Sequence, residues 1–415
     1  MIIMTKSNKY NRRGFLSRIV TGAASAGMLG MAGSTFSAFG SKKPGPPADS
    51  KLIYRTLGNT GIKLPVVSIG VMNTDNPNII RAALDAGIVH LDTAHGYLKG
   101  KSEVIVGEVL KERPRDSYFL STKIQPEWDT SEGWGNRKVS SESTKEVYLE
   151  KLNTSLKRLQ LDYVDILYLH AVNTRETVLT ERLLDALTTA KKQGKIRFIG
   201  MSFHENFPEL IRAAIDSKVY EVLLTVYNIQ MYGWQEMDQA LAEAAGAGLG
   251  IVAMKTLAGG YWDKERQHPI NTKAALKWAL QNENICTAIP GMTTFDQLSQ
   301  DMSVMEDLKL TPEEEQDLRK GQELGLAGMF CIQCRKCVPQ CLKGLDIPTL
   351  MRSYMYAYGH RNLAVAGETI HPVNIKSEPC TDCHECSVNC TMGFDIKNRV
   401  SDIARLKYIP TEFLA

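Results

Sequence analysis

Eight of the nine cysteines in this 415-residue chain lie in its last quarter, in two runs of identical spacing. Cys331, Cys334, Cys337 and Cys341 read C-x2-C-x2-C-x3-C, and Cys380, Cys383, Cys386 and Cys390 repeat the pattern 49 residues later. The copy extends past the thiols: Gly344, Asp346 and Ile347 recur at the same offset as Gly393, Asp395 and Ile396. Three thiolates at two-residue intervals wrap a cubane in one tight loop, and the fourth cysteine of each run reaches the other cluster. The spacing therefore predicts two [4Fe-4S] clusters. One is held by Cys331, Cys334, Cys337 and Cys390, the other by Cys380, Cys383, Cys386 and Cys341. Zinc is the competing metal, although two C-x2-C pairs would satisfy it and each run here exceeds that need. Disulfides are the third alternative. Leu342 and Thr391 stand where a proline usually follows the fourth cysteine. His384, inside the second run, reads as a solvated loop residue or a tuner of cluster potential. The ninth thiol, Cys286, sits in the apolar stretch 285–289 and reads as core.

The other end of the chain reads as an address. Arg12 and Arg13 precede Gly14-Phe15-Leu16, an Ala/Gly-rich apolar stretch runs from Ile19 to Gly33, and Ala38 and Gly40 set small residues at −3 and −1 of a cleavage site. These are the parts of a signal peptide, and the paired arginines are those of the twin-arginine class. The apolar stretch is too short for a membrane span. Residues 1–40 are thus read as a twin-arginine signal peptide, cleaved or retained, and 41–50 as a linker. The expected location is periplasmic or extracytoplasmic, with no stable membrane span after cleavage. That route carries folded cargo, which clusters assembled in the cytoplasm require. A net charge of +3 with no basic run gives no reason to expect nucleic acid.

Between these ends, short β-rich apolar runs alternate with longer helical patterns. Candidate strands are 66–70, 88–92, 118–122, 163–169, 196–201, 220–226, 249–254 and 285–289. Eight strands with intervening helices over 51–325 predict an α/β fold, a (β/α)8 TIM barrel, followed over 326–415 by a small ferredoxin-like iron–sulfur domain. A doubly wound sheet fits the same alternation, but no G-x-G-x-x-G follows the first strand. Barrels place chemistry at the C-terminal ends of their strands. Asp92, Lys123 and His170 end the second, third and fourth strands, and Tyr97 follows Asp92 by five residues. Each alone reads as a cap or solvent contact; together they converge on one mouth.

At these residues the chain resembles the aldo-keto reductase superfamily, in the subset with a C-terminal ferredoxin-type segment. The resemblance is carried by 54–61 (Tyr-Arg-Thr-Leu-Gly-Asn-Thr-Gly), 91–97 (Leu-Asp-Thr-Ala-His-Gly-Tyr), Lys123, His170, 200–202 and 289–291. It implies that Tyr97 moves the proton, Lys123 lowers the cost of the phenolate, Asp92 holds Lys123, and His170 hydrogen-bonds the carbonyl oxygen. It also implies a nicotinamide cofactor, NAD or NADP. Ser202 would bond the carboxamide, the loop over Thr256, Leu257, Ala258 and Gly259 would cover the pyrophosphate, and Pro290, Gly291 and Gln297 would meet the adenosine end. Met254 replaces a common aromatic, and Leu224 a common glutamine. Neither Gly291 nor Gln297 brings a cation for a 2′-phosphate, a place that Lys255 could fill. Trp128 and Trp134, in the loop after the third strand, either stack on a sugar or aromatic substrate or pack that loop.

The expectation is an exported oxidoreductase that interconverts a small carbonyl and alcohol, with a sugar among the candidate substrates. A bound nicotinamide carries the hydride, and the two clusters pass electrons to an external partner. The alternative is a non-catalytic electron-transfer or binding subunit built on a reductase barrel.

Overall fold

The computed structural model describes residues 51–231 and 233–414; the expected signal peptide and linker lie outside the described residues. Eight parallel strands follow one another in chain order: β1 (Ile69–Gly70), β2 (His90–Asp92), β3 (Phe119–Ile124), β4 (Val164–Val172), β5 (Ile196–Phe203), β6 (Val222–Val226), β7 (Gly250–Met254) and β8 (Thr287–Ala288). Backbone bridges from Val67 to Ala288 and from Gly70 to Gly291 join the two edges. The sheet is therefore a barrel, and the doubly wound alternative falls. Every residue of β3, β6 and β7 is buried, as expected of parallel strands packed on both faces.

The helices between them are Pro77–Asp85 (α1), Lys101–Leu110 (α2), Lys145–Leu159 (α3), Glu181–Lys192 (α4), Phe207–Ser217 (α5), Gln235–Gly246 (α6) and Thr272–Gln281 (α7). Each lays an apolar stripe on the barrel, such as Leu183, Ala186, Leu187 and Ala190 of α4. Two more, Phe295–Val304 (α8) and Pro312–Glu323 (α9), open with capping boxes at Thr294 and Thr311. The hairpin of Tyr54–Thr56 and Lys63–Pro65 precedes β1. From it Arg55 donates to the carbonyls of Leu280, Asn282 and Ile285 at the end of α7 and beyond. Cys286 is buried, and its thiol is pushed up to about 12 by that burial, as a core cysteine should be.

Past α9 come both cysteine runs and three helices, Ile347–Tyr354 (α10), Leu363–Ile370 (α11) and Ile396–Ala404 (α12). The internal copy seen in sequence is a structural repeat. Gly344 and Gly393 both take the left-handed conformation, at φ 62° and 69°. Each is followed by an aspartate at the N-cap position, Asp346 or Asp395, of which Asp395 caps with its side chain, and by a helix opening on isoleucine. Helix α10 runs on into a π-helical turn, Met355–Gly359. This region sits on the C-terminal mouth of the barrel. Arg335 reaches Glu205 beyond β5 at 2.9 Å. Asn362 reaches Asn73 beyond β1 at 3.1 Å. Gly359 lies so near Gly259 that a Cβ would stand 2.6 Å from its carbonyl oxygen. Among the described residues no helix is long and apolar enough to cross a membrane.

Candidate active site and cluster sites

Parallel pairing brings the ends of β2, β3 and β4 side by side, and the four expected residues meet there. Lys123 is 1% exposed and its ammonium is shared by three oxygens: the Asp92 carboxylate, the Thr93 carbonyl at 2.7 Å and the Tyr97 hydroxyl at 3.2 Å. The His170 ring meets the Tyr97 ring edge-on, with centroids 6.1 Å apart. Burial works to lower the Lys123 pKa, but Asp92 and then Tyr97 outweigh it and raise it. Lys123 is thus held as a cation by its partners. For Tyr97 burial is the largest influence, and it raises the phenol despite the opposing pull of Lys123. The expected activation acts in the right direction without prevailing, so the resting group is a phenol and a proton donor. Burial, then Lys123 and Lys255, press His170 down to about 3. It is a neutral imidazole that can donate a hydrogen bond to a carbonyl oxygen without carrying charge.

Sequence reasoning missed what lies beneath. Ser121 donates to Asp92 Oδ2 at 2.6 Å. With its proton so committed, Ser121 accepts from His90 Nε2 at 3.1 Å, and His90 Nδ1 accepts from Ser68 at 3.0 Å. Ser68 in turn meets Thr287 at 2.8 Å. One file of hydrogen bonds thus crosses the barrel interior from β8 to the Asp92–Lys123 pair and fixes the His90 tautomer.

The cofactor candidates are distributed around the same rim. Ser202 lies one residue before the end of β5; its hydroxyl oxygen accepts from the Ala171 N–H at 3.2 Å, leaving its O–H free for a carboxamide. The buried Thr256 hydroxyl has no partner among the described residues. A nicotinamide fits these donors, and when bound it supplies or accepts the hydride. Gly259 packs against Met329 and Met355, which places the loop carrying Leu257 under the C-terminal region. Pro290 accepts from the Gly70 N–H at 3.0 Å, Gly291 is bridged to Gly70, and the Gln297 carboxamide oxygen caps α8. Lys255 donates to the Tyr356 hydroxyl and lies over that ring, which turns it toward the C-terminal region and leaves two of its N–H groups for another partner. The tryptophans also take one of their two readings. Trp128 and Trp134 hold the Arg137 guanidinium at 5.0 and 4.8 Å from their centroids, and so pack the loop.

All eight clustered cysteines are free thiols, which removes the disulfide alternative. They line two voids. Cys331, Cys334, Cys337 and Cys390 border one of about 330 Å³, and Cys341, Cys380, Cys383 and Cys386 border another of about 390 Å³. Each void takes three cysteines of one run and the fourth of the other, the crossed assignment expected of paired cubanes. Among the described residues no group of three or more such side chains converges to single-ion distance, whereas zinc draws its thiolates to about 2.3 Å.

Comparison with known proteins agrees with this geometry. The family model described as "Aldo/keto reductase family" matches residues 70–274, and that described as "4Fe-4S dicluster domain" matches 330–395. L-galactose dehydrogenase of Arabidopsis thaliana is 26% identical over 301 residues, covering 63% of this chain and 90% of that protein. The uncharacterized oxidoreductase YrpG of Bacillus subtilis is 30% identical, over 50% of this chain and 67% of its own length. Among solved structures, aldo-keto reductase AKR11C1 from Bacillus halodurans superposes with a TM-score of 0.53 at 23% identity, over 65% of this chain and 96% of that one; this likeness bears on the fold. A closed parallel barrel with a cluster-binding appendage defines the class, an oxidoreductase barrel joined to a 4Fe-4S domain. The chain belongs to the aldo/keto reductase family, with a C-terminal 4Fe-4S dicluster domain.

Proposed function

We propose that this chain is an exported oxidoreductase that interconverts a small carbonyl and an alcohol on a bound NAD or NADP, exchanging electrons with an external partner through two [4Fe-4S] clusters. The observation that carries the reading is a void at the barrel mouth. Cys331, a ligand candidate of the first cluster, lines it together with His204 and Lys255 from the ends of β5 and β7. The cluster region is therefore part of the wall of the active-site mouth, which favours electron exchange over chance fusion of two domains. Tyr97 gives or takes the proton at the substrate oxygen, His170 orients that oxygen, and Lys123 with Asp92 stabilises the phenolate left behind. A hydride is two electrons and a proton, so re-oxidation of the reduced nicotinamide would place one electron on each cubane and release one proton to solvent. Diffusing nicotinamide is scarce outside the cytoplasm, so the cofactor travels bound. The packing of Gly259 under Met329 and Met355 supports such retention. The named activity of the Arabidopsis relative makes L-galactose and related sugars the first substrates to try.

The intact Asp92–Lys123–Tyr97 contacts favour an enzyme over the non-catalytic alternative. Tyr97→Phe separates the two readings. Turnover lost by about 10²–10⁴-fold with unchanged cluster spectra supports the enzyme. Unchanged turnover of substrate in the Phe variant contradicts it.

A further inference from the structure

The void at the mouth is lined on its polar side by His204, Lys255, Gln333 and Arg352, with the cluster-ligand candidate Cys331 beside them. None of these is a carboxylate. The Arg352 guanidinium makes no ion pair or hydrogen bond among the described residues, and His204 Nδ1 is buried without a partner. Gln333 spends its amide on the Pro348 carbonyl at 2.9 Å. Lys255 donates to Tyr356 and has two further N–H groups. Of the carboxylates at this junction, Glu205 is engaged by Arg137 at 3.2 Å and Arg335 at 2.9 Å, and Asp346, which is 3.9 Å from Arg335, does not line the void. Two cations thus border a partly open space whose lining carries no carboxylate, an arrangement that an entering anion would stabilise. A guanidinium fork suits a carboxylate or a phosphate. Backbone shape points the same way. Lys255 is held at φ 55°, in the left-handed region that non-glycine residues rarely adopt, and Arg352 lies one turn before the π-helical Met355–Gly359, a feature frequent at functional sites.

We propose that this void binds the acid group of the substrate, a carboxylate or phosphate, with Arg352 and Lys255 as its cations and His204 as a hydrogen-bond partner. The inference rests on the carbonyl–alcohol reading above and narrows it to anionic substrates. His204 and Lys255 follow the ends of β5 and β7, on the same barrel rim that carries His170 on β4. A ligand anchored by its acid group in the void therefore lies on the rim of the reacting pair. Arg352 is supplied by the iron–sulfur region, so that region also selects the substrate.

The test uses full-length protein with its clusters, handled anaerobically. Calorimetric titration with inorganic phosphate and with acetate, against glycerol as neutral control, should show one site for at least one anion. Binding should weaken at least tenfold in Arg352→Gln and again in His204→Asn, with the cluster reduction potentials unmoved and saturating NADP+ without effect. Galactose, galacturonate and galactose 6-phosphate then separate neutral, carboxylate and phosphate substrates. One acid form should show the lowest KM, which Arg352→Gln raises at least tenfold while kcat and the KM for galactose hold. Absence of anion binding, or binding indifferent to both substitutions, overturns the proposal. So does displacement by NADP+, which assigns the cations to the cofactor's diphosphate, or a change confined to the cluster potentials. Anion binding with no turnover of any sugar supports the site and counts against the carbonyl–alcohol reading.

Discussion

At the residue scale, the buried Asp92–Lys123 pair is held by what surrounds it. Removing one partner of a buried ion pair leaves an uncompensated charge and costs about 3–5 kcal/mol, so Asp92→Asn should lower stability by that order and abolish proton transfer from Tyr97. Denaturant titration and turnover measured on the same preparation check both. Ser121→Ala is subtler. It strips a hydrogen bond from Asp92 and leaves His90 Nε2 unpaired, at a cost of about 1–3 kcal/mol. His90 also sets a pH dependence. Burial holds it near 4 in the folded chain against an ordinary value of 6.5. Between those values the unfolded chain binds the extra proton, so stability is full above about pH 6.5 and falls as pH drops toward 4, by an amount on the order of 3 kcal/mol. His90→Gln should flatten that slope in chemical unfolding at pH 5 and 7. Asp92, Lys123 and His170 are legible in sequence because each closes a candidate strand, and Tyr97 because it follows Asp92 within the same short motif. Ser68, Ser121 and Thr287 are not, because a small hydroxyl inside a strand declares no partner until the barrel closes.

At the scale of elements, the loop bearing Tyr97 is pinned from outside the barrel. Arg158 of α3 donates to the His95 carbonyl at 2.9 Å and pairs with buried Glu103 at 3.2 Å; Glu103 in turn accepts from Thr122 at 2.7 Å. Gly100 makes room for that guanidinium: its φ is 90°, and a Cβ there would stand 2.5 Å from Arg158 Cζ. Gly100→Ala should therefore cost about 1–3 kcal/mol and lower kcat by displacing the Tyr97 loop, with thermal unfolding and steady-state turnover as the measures. The eight strands are legible in the sequence because parallel strands buried on both faces are continuous apolar runs. The Trp128–Trp134 loop has no such pattern. Its two readings differ only in whether a guanidinium lies between the rings, and Arg137 does.

For the whole molecule, the crossed partition of cysteines predicts which losses travel together. Cys334→Ala and Cys390→Ala should remove the same cluster's spectroscopic signature although 56 residues of sequence separate them, while Cys341→Ala removes the other with Cys383→Ala. Signatures that follow the two sequence runs instead would contradict the voids. The repeat makes this partition readable from spacing alone. The seating of the cluster region on the barrel mouth is not readable: Tyr356 meets Lys255 across 101 residues, and no local pattern announces so long a contact. That seating is what joins a hydride site to a pair of one-electron carriers. The most direct measurement is anaerobic mixing of oxidised, full-length protein with L-galactose and related sugars, with no nicotinamide added, while cluster absorbance and paramagnetism are followed. Substrate-dependent reduction of the clusters, absent in Tyr97→Phe, is the expected result. Clusters that stay oxidised under every sugar, while added nicotinamide supports turnover by the same preparation, would show that barrel and clusters do not exchange electrons.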